Sequence, residues 1–364
     1  MIRHLYVHIP FCLKKCGYCG FYSVIDDERE KRNYLQYLLE EINLYSQQLK
    51  IQPYTIYFGG GTPSLLSPDQ IRSIFDLLDV SELKECTIEI NPATVDEYYL
   101  KDLLDSPINR VSIGTQSFID KELISLGRLH DAADNFDCYN ACRKAGFQNI
   151  SLDFIYGLHG QTKEDLKTNL KIIKELNPEH VSTYCLSIEE GTPFERTNYK
   201  TPDDDTVSDF YSYIIESLTE SGYEHYEISS FAKEGYMSQH NLSYWRCSEY
   251  LGVGASAHSH LNNMRFANHS DLDKYYETVR NNELYPNCEK QDDEMKRKDF
   301  IVQSMRLSSG LNIPLYNKLF GDDFKARYQK QLSKYKNFLV LDDGNVHFTS
   351  EAFFVSNEIL ADFL

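Results

Sequence analysis

The chain reads as an α/β protein built on a parallel sheet, and three features of its 364 residues predict this. Apolar, β-branched runs alternate with stretches of helical periodicity six times before residue 223. The alternation then stops, and the chemically distinctive residues fall where the runs end. Parallel strands need crossover connections, and these are right-handed, so six successive strand–helix units describe either a doubly wound sheet or a curved, barrel-like one. In both arrangements sites gather at the C-terminal ends of the strands.

The expected strands are HLYVHI (4–9), TIYFGG (55–60), CTIEI (86–90), RVSIGTQ (110–116), ISLDFIYG (150–157) and HVSTYCLSI (180–188). Helical spacing of apolar residues predicts helices over 34–49, 69–80, 96–106, 135–146, 163–176 and 208–222, with Gly146 and Gly222 suited to C-caps. Cys12, Gly59 to Gly61, Asn91 and Gln116 then stand at strand ends. Beyond residue 223 come glycine- and aromatic-marked segments, helices from about residue 290, and the run FLVLDDGNVHFTS. Its DG at 343–344 signals a hairpin. Helices followed by a hairpin suggest a small winged-helix-like α+β module, without the strongly basic helix of a DNA reader.

Hydrophobic residues at 41% and charged residues at 25% are ordinary for a globular protein. A net charge of −18 disfavours sequence-independent nucleic-acid binding, which depends on basic residues displacing counterions. The opening MIRHLYVHIPF reads as a strand, not as a leader, and no apolar run reaches the roughly 18 residues of a spanning helix. The expectation is a cytoplasmic protein. Its nine cysteines are then metal ligands, reactive thiols or core residues. Cys138 and Cys142, four apart on one helical face, read as core.

Cys12, Cys16 and Cys19 stand apart from the rest. The spacing C-x3-C-x2-C on the loop leaving the first strand brings three thiolates toward one metal centre. A structural zinc site would need a fourth ligand, from His8, Cys185 or Cys247. A [4Fe–4S] cluster held by three cysteines keeps one iron open to a substrate or cofactor, and that is the favoured reading.

The triplet with the later GGGTP resembles the radical S-adenosylmethionine (SAM) proteins. The segments YVHIPFC, FGGGTPSLL, IEINP, RVSIGTQSF, LGRLHD and LDFIYGL follow the order of the anaerobic coproporphyrinogen III oxidase group within them. The resemblance implies an open (β/α)6 partial barrel with the cluster at its mouth and SAM chelating the open iron. It places Tyr18 beside the adenine and gives Tyr6, Gly60, Gly61, Thr62, Glu89, Gln116, Arg128 and Asp153 to SAM. The chemistry of these residues suits that role. Glycines let a ligand approach the backbone, carboxylates accept from ammonium and hydroxyl groups, and arginine forks onto a carboxylate.

Coproporphyrinogen-oxidising members of the group carry a fourth cysteine two places after the triplet, where this chain has Phe21. A haem chaperone branch has phenylalanine there. HNLSYW (240–245) matches the H-N-x-x-Y-W pattern that the resemblance associates with haem binding, with His240 as the implied iron ligand. His258 and His260 are further ligand candidates. The resemblance implies a chaperone holding a [4Fe–4S] cluster, SAM and haem. The alternatives are an oxygen-independent coproporphyrinogen III oxidase or a related haem-modifying radical enzyme. Implied partners are haem and an apo-haem recipient such as a respiratory cytochrome, met by transient membrane association, with a homodimer as a further expectation and no nucleic acid. Residues 1–235 are expected as the radical SAM core. Residues 236–364 are expected as a second domain with the haem motif and the winged-helix-like end.

Overall fold

The first strand, β1 (Ile2–Ile9), lies inside a nine-stranded sheet. The computed structural model of the protein describes residues 1–342 and 344–364. Strands β2 (Ile51–Gly60), β3 (Glu85–Ile90), β4 (Arg110–Gln116), β5 (Ile150–Tyr156) and β6 (His180–Cys185) follow, each parallel to its predecessor. Their apolar runs are buried on both faces, as strands of a covered parallel sheet must be. Leu5, Phe58, Ile88, Ile113 and Phe154 are all fully buried.

The hairpin β7 (Glu224–Glu227) and β8 (Ser230–Ala232) continues the sheet antiparallel beyond β6. On the opposite side β9 (Leu251–Val253) pairs in parallel with β1. The order is β9-β1-β2-β3-β4-β5-β6-β8-β7, and its two ends do not pair. The sheet is therefore open, the partial barrel expected, not a closed one.

Helix α1 (Glu28–Gln48) starts well before the expected Tyr34, because the Asp27 carboxylate accepts from the Arg29 and Glu30 amides and caps it. Then come α2 (Pro68–Phe75), α3 (Glu97–Leu103), α4 (Asp120–Leu126), α5 (Ala132–Ala145), α6 (Lys163–Leu176) and α7 (Asp204–Thr219). Helix α4 was not expected; it is short and has no side-chain N-cap to announce it. Gly146 caps α5 at φ 122°, as expected, whereas α7 ends at Glu220 and Gly222 (φ 85°) only turns the chain away.

Further on, α8 (Gln239–Trp245) carries the HNLSYW segment. The hairpin β10 (His258–Leu261) and β11 (Met264–Ala267) takes on β12 (Glu289–Lys290) as a third strand. Helix α9 (Leu272–Arg280) packs on α1, and α10 (Asp293–Ser304) and α11 (Ile313–Phe320) lead into the last module. There β13 (Leu311–Asn312), β14 (Leu339–Leu341) and β15 (Asn345–Phe348) form an antiparallel sheet in the order β13-β15-β14. Half of the expected DG turn, Asp343, lies outside the described residues. The strands that flank it pair antiparallel. Because β9 joins the core sheet, the expected division between residues 235 and 236 is bridged by a shared element.

Candidate functional site

The cysteine loop leaves β1 and is pinned in three places. At its base Phe11 and Cys12 pair with Val24 and Ile25. The Gly61 amide donates to the Ile9 carbonyl (2.8 Å) and the Thr62 amide to that of Phe11 (2.7 Å). A side chain on Gly61 would lie 2.6 Å from the Phe11 carbonyl oxygen, so only glycine fits there. At its tip the Gly17 amide donates to the Leu126 carbonyl at the end of α4 (3.2 Å), and its carbonyl accepts from the Phe194 amide (3.0 Å).

Side chains at the strand ends join two of the thiols. Thr62 Oγ1 donates to Cys12 Sγ (3.6 Å) and accepts from Asn91 Nδ2 (2.8 Å). Asn91 Oδ1 accepts from Arg128, whose guanidinium also donates to the Gly114 carbonyl (2.9 Å) and to Cys16 Sγ (3.5 Å). The chain Cys12–Thr62–Asn91–Arg128–Cys16 thus encloses the loop. Burial pushes the Cys12 and Cys19 thiols up, opposed at Cys12 by the Thr62 hydroxyl and at Cys19 by the Phe21 amide. Burial also works against the charge on Arg128, but Tyr18 and Cys16 beside it hold the guanidinium protonated. Tyr18 is in contact with Arg128 and packs near Phe194 (ring centroids 6.4 Å).

Deeper in the sheet, Tyr57 donates to Glu89 Oε1 (2.9 Å), and Tyr6 stacks on Tyr57 (6.3 Å). Burial and then the Asp153 charge raise the Glu89 carboxyl to about 7. Asp153, also raised by burial, accepts from Ser112 (3.1 Å) and is partly balanced by the buried Arg110. Gln116 ends β4 in the left-handed region, at φ 61°. Gly60 has φ 111°, and a side chain there would stand 2.5 Å from the His8 ring. Its lack of a side chain thus serves packing against His8 within the protein.

Three half-buried thiols on one pinned loop, with a hydroxyl and a guanidinium against two of them, suit thiolates around a cluster. The zinc alternative fares worse. His8 is buried with both nitrogens engaged, by Tyr6 (3.0 Å) and the Tyr22 carbonyl (3.1 Å). Cys247 donates to the Asp299 carbonyl on α10 (3.7 Å), and Cys185 is exposed at the end of β6.

Phe21 is 70% exposed, so it fills no apolar space within the loop. His240, expected as an iron ligand, is 1% exposed. Its Nδ1 is bonded to Thr55 Oγ1 (2.8 Å) and its Nε2 to the Tyr244 hydroxyl (2.8 Å). Burial lowers its pKa to about 3. In this arrangement it presents no free lone pair to an iron, because neighbours on β2 and α8 that the motif does not reveal take both nitrogens. Asn91 and Tyr57 had no expected role. Only the place of Asn91, directly after a strand, hinted at one.

Residues 6–173 match the model of the radical SAM superfamily. The chain is similar to the heme chaperone HemW of Lactococcus lactis, 34% identical over 99% of this chain and 96% of that protein. It is also similar to the HemW of Bacillus subtilis, 30% identical over 100% and 99%. The HemW of Escherichia coli is 38% identical over 70% of this chain and 69% of its own length. In fold the chain resembles the coproporphyrinogen III oxidase HemN of Escherichia coli, with a TM-score of 0.86 over 100% of this chain and 90% of that one, at 24% identity.

Proposed function

The chain belongs to the HemW family of radical SAM proteins, and from that premise we propose that it is a haem chaperone: a protein that binds haem and hands it to an apo-haem protein. The observation that carries this reading is Phe21. It stands where oxidising relatives of the sequence pattern have a fourth cysteine, and its side chain points into solvent. The loop therefore offers three sulfurs and no fourth.

Cys12, Cys16 and Cys19 would hold a [4Fe–4S] cluster, which when bound supplies one-electron chemistry and an open iron for SAM. Arg128 is the cation suited to the SAM carboxylate. Glu89 and Asp153 are acceptors suited to its ammonium and ribose hydroxyls, with Tyr6, Tyr18, Gly60, Gly61, Thr62 and Gln116 around them. A ligand ammonium beside Glu89 would favour the ionised carboxylate that burial opposes. Haem is cargo. No helix among the described residues is long and apolar enough to cross a membrane. A membrane-bound recipient such as a respiratory cytochrome would be met transiently.

The test is anaerobic reconstitution followed by iron and sulfide analysis, a haemin titration and a coproporphyrinogen assay, on the wild type and on Phe21→Cys. The expected result is a loaded cluster, near-stoichiometric haem binding and no porphyrinogen oxidised by either protein. Failure to bind haem, or coproporphyrinogen oxidation gained by Phe21→Cys alone, would replace the chaperone reading with the enzymatic one.

A further inference from the structure

Behind α8, between the β10–β11 hairpin and the helices α10 and α11, lies a cavity of about 570 Å³. This is the volume of a small-molecule site. The space beside Cys16 measures only about 30 Å³. Aromatic and apolar groups form much of the large cavity's wall: Tyr244 and Trp245 from the HNLSYW segment, Tyr250, Phe300 and Phe320. Arg265, Lys296 and Arg297 line it too, but Arg265 is paired with Asp299 (2.9 Å) and Arg297 with Glu294 (2.7 Å) and Asp322 (3.4 Å), which leaves Lys296 as the most weakly held cation. The Lys296 partner, Asp293, is itself mostly exposed, so that pair yields easily to another anion.

Three buried polar atoms on lining residues lack a partner among the described residues, the donors Trp245 Nε1 and Arg297 Nε and the acceptor Gln303 Oε1. Buried polar groups are normally paired, so these atoms mark unsatisfied polarity within the wall itself, closed off from the cavity. A flat, mainly apolar ligand with anionic edges fits these walls. A haem, with its two propionates, has this character.

Burial keeps the wall phenols Tyr244 and Tyr250 protonated, which leaves three side chains at or behind this wall that could in principle bind iron. Cys247 Sγ donates to the Asp299 carbonyl (3.7 Å), and burial followed by the Asp299 charge pushes the thiol up to about 12. It is a neutral thiol, a poor ligand. His240 does not line the cavity and both its nitrogens are taken. His260 does line it. Its main chain is fixed by paired hydrogen bonds with Tyr250 (2.9 and 3.0 Å), and its half-buried ring stands on the wall edge-on to Tyr250 (6.4 Å).

His240 belongs to another chain of contacts. It holds the Tyr244 hydroxyl at the cavity wall and lies tilted against the ring of Tyr57 (5.2 Å), which donates to Glu89. It therefore ties the wall to the SAM residues of the sheet. We propose that haem seats in this cavity with His260 as its iron ligand and Lys296 facing a propionate, and that His240 is a positioning residue. The proposal rests on the haem-carrier reading above.

The test is an anaerobic titration of the cluster-loaded full chain with haemin and with haem dimethyl ester, followed in the Soret band and by EPR of the ferric haem. His260→Ala should lower haemin affinity at least roughly tenfold and change the ligation signature. His240→Asn should keep that signature, whatever it does to affinity. Lys296→Glu should weaken haemin binding several-fold and leave the ester unaffected. If His260→Ala keeps the wild-type signature and affinity, or His240→Asn alone abolishes the signature, the proposal falls and the chaperone reading stands. If Lys296→Glu affects haemin and ester alike, the propionate contact is wrong. If the wild type binds no haem, the reading and the proposal fall together.

Discussion

Glu41 has no partner of opposite charge among the described residues it contacts, yet it is almost completely buried on α1. Its carboxylate accepts from the Gly254 amide (2.7 Å), the Tyr275 hydroxyl (2.7 Å) and Asn268 Nδ2 (2.6 Å). Burial outweighs these bonds and raises its pKa to about 7 from 4.5. A carboxyl with a raised folded pKa binds its proton more tightly in the folded chain. Its contribution to stability is therefore fully present below pH 4.5 and is lost as pH climbs toward 7. The whole loss amounts to roughly 3 kcal/mol, of which about 1 kcal/mol falls between pH 6 and 8. Urea unfolding of the cluster-free protein at those two pH values should show the wild type losing about that much more than Glu41→Gln. Equal losses in the two proteins would mean that the carboxyl is ionised throughout. The same desolvation acts on Glu89, where the neighbouring Asp153 charge adds to it.

At the scale of elements, the cysteine loop depends on the turn after β2. Gly61→Ala would bring a methyl against the Phe11 carbonyl and force apart the amides that hold Ile9 and Phe11. A strained backbone contact of this kind costs about 1–3 kcal/mol. The expected outcome is a lower melting temperature together with loss of iron after reconstitution, because Cys12 sits on the displaced segment. A variant that loads iron normally would show that the loop does not need this anchor. Much of this element scale was legible beforehand. The six strands and the cysteine loop follow from apolar runs and spacing, since a strand buried on both faces leaves a continuous apolar signature. What stayed hidden depends on distant partners. Helix α4 has no side-chain N-cap, Asn91 is one asparagine among many until Arg128 and Thr62 close on it, and β9 is three residues long. The HNLSYW motif could not show that Thr55 and Tyr244 occupy the His240 ring.

For the whole molecule, the break in rhythm near residue 223 is a boundary of pattern and not of folding. Strand β9 covers the edge of β1, pairing Leu5, Tyr6 and Val7 with Leu251, Gly252 and Val253. The loop after it supplies the Gly254 amide to Glu41 and the Ala255 amide to the Tyr34 hydroxyl (3.0 Å). Helix α9 then lays Tyr275 and Tyr276 on α1, the latter stacked on Tyr37 (4.4 Å). A fragment of residues 1–235 would lose all of this at once. It would expose an edge of unpaired backbone on the strand that leads into the cysteine loop, and it would leave Glu41 buried among fewer donors or open to water. That fragment should be aggregated or lack a cooperative thermal transition, and it should take up little iron. A fragment of residues 1–285 restores β9, Asn268 and α9, and should elute without aggregation and melt cooperatively while lacking the helices that close the large cavity. Size-exclusion chromatography and circular dichroism of the two would decide. Cooperative, iron-loaded folding of 1–235 would show that the segments after residue 235 dock on a core that is already complete. Folding of the longer fragment alone would show that the unit bearing the cysteine loop extends through α9 and that the large cavity is built on it from the outside.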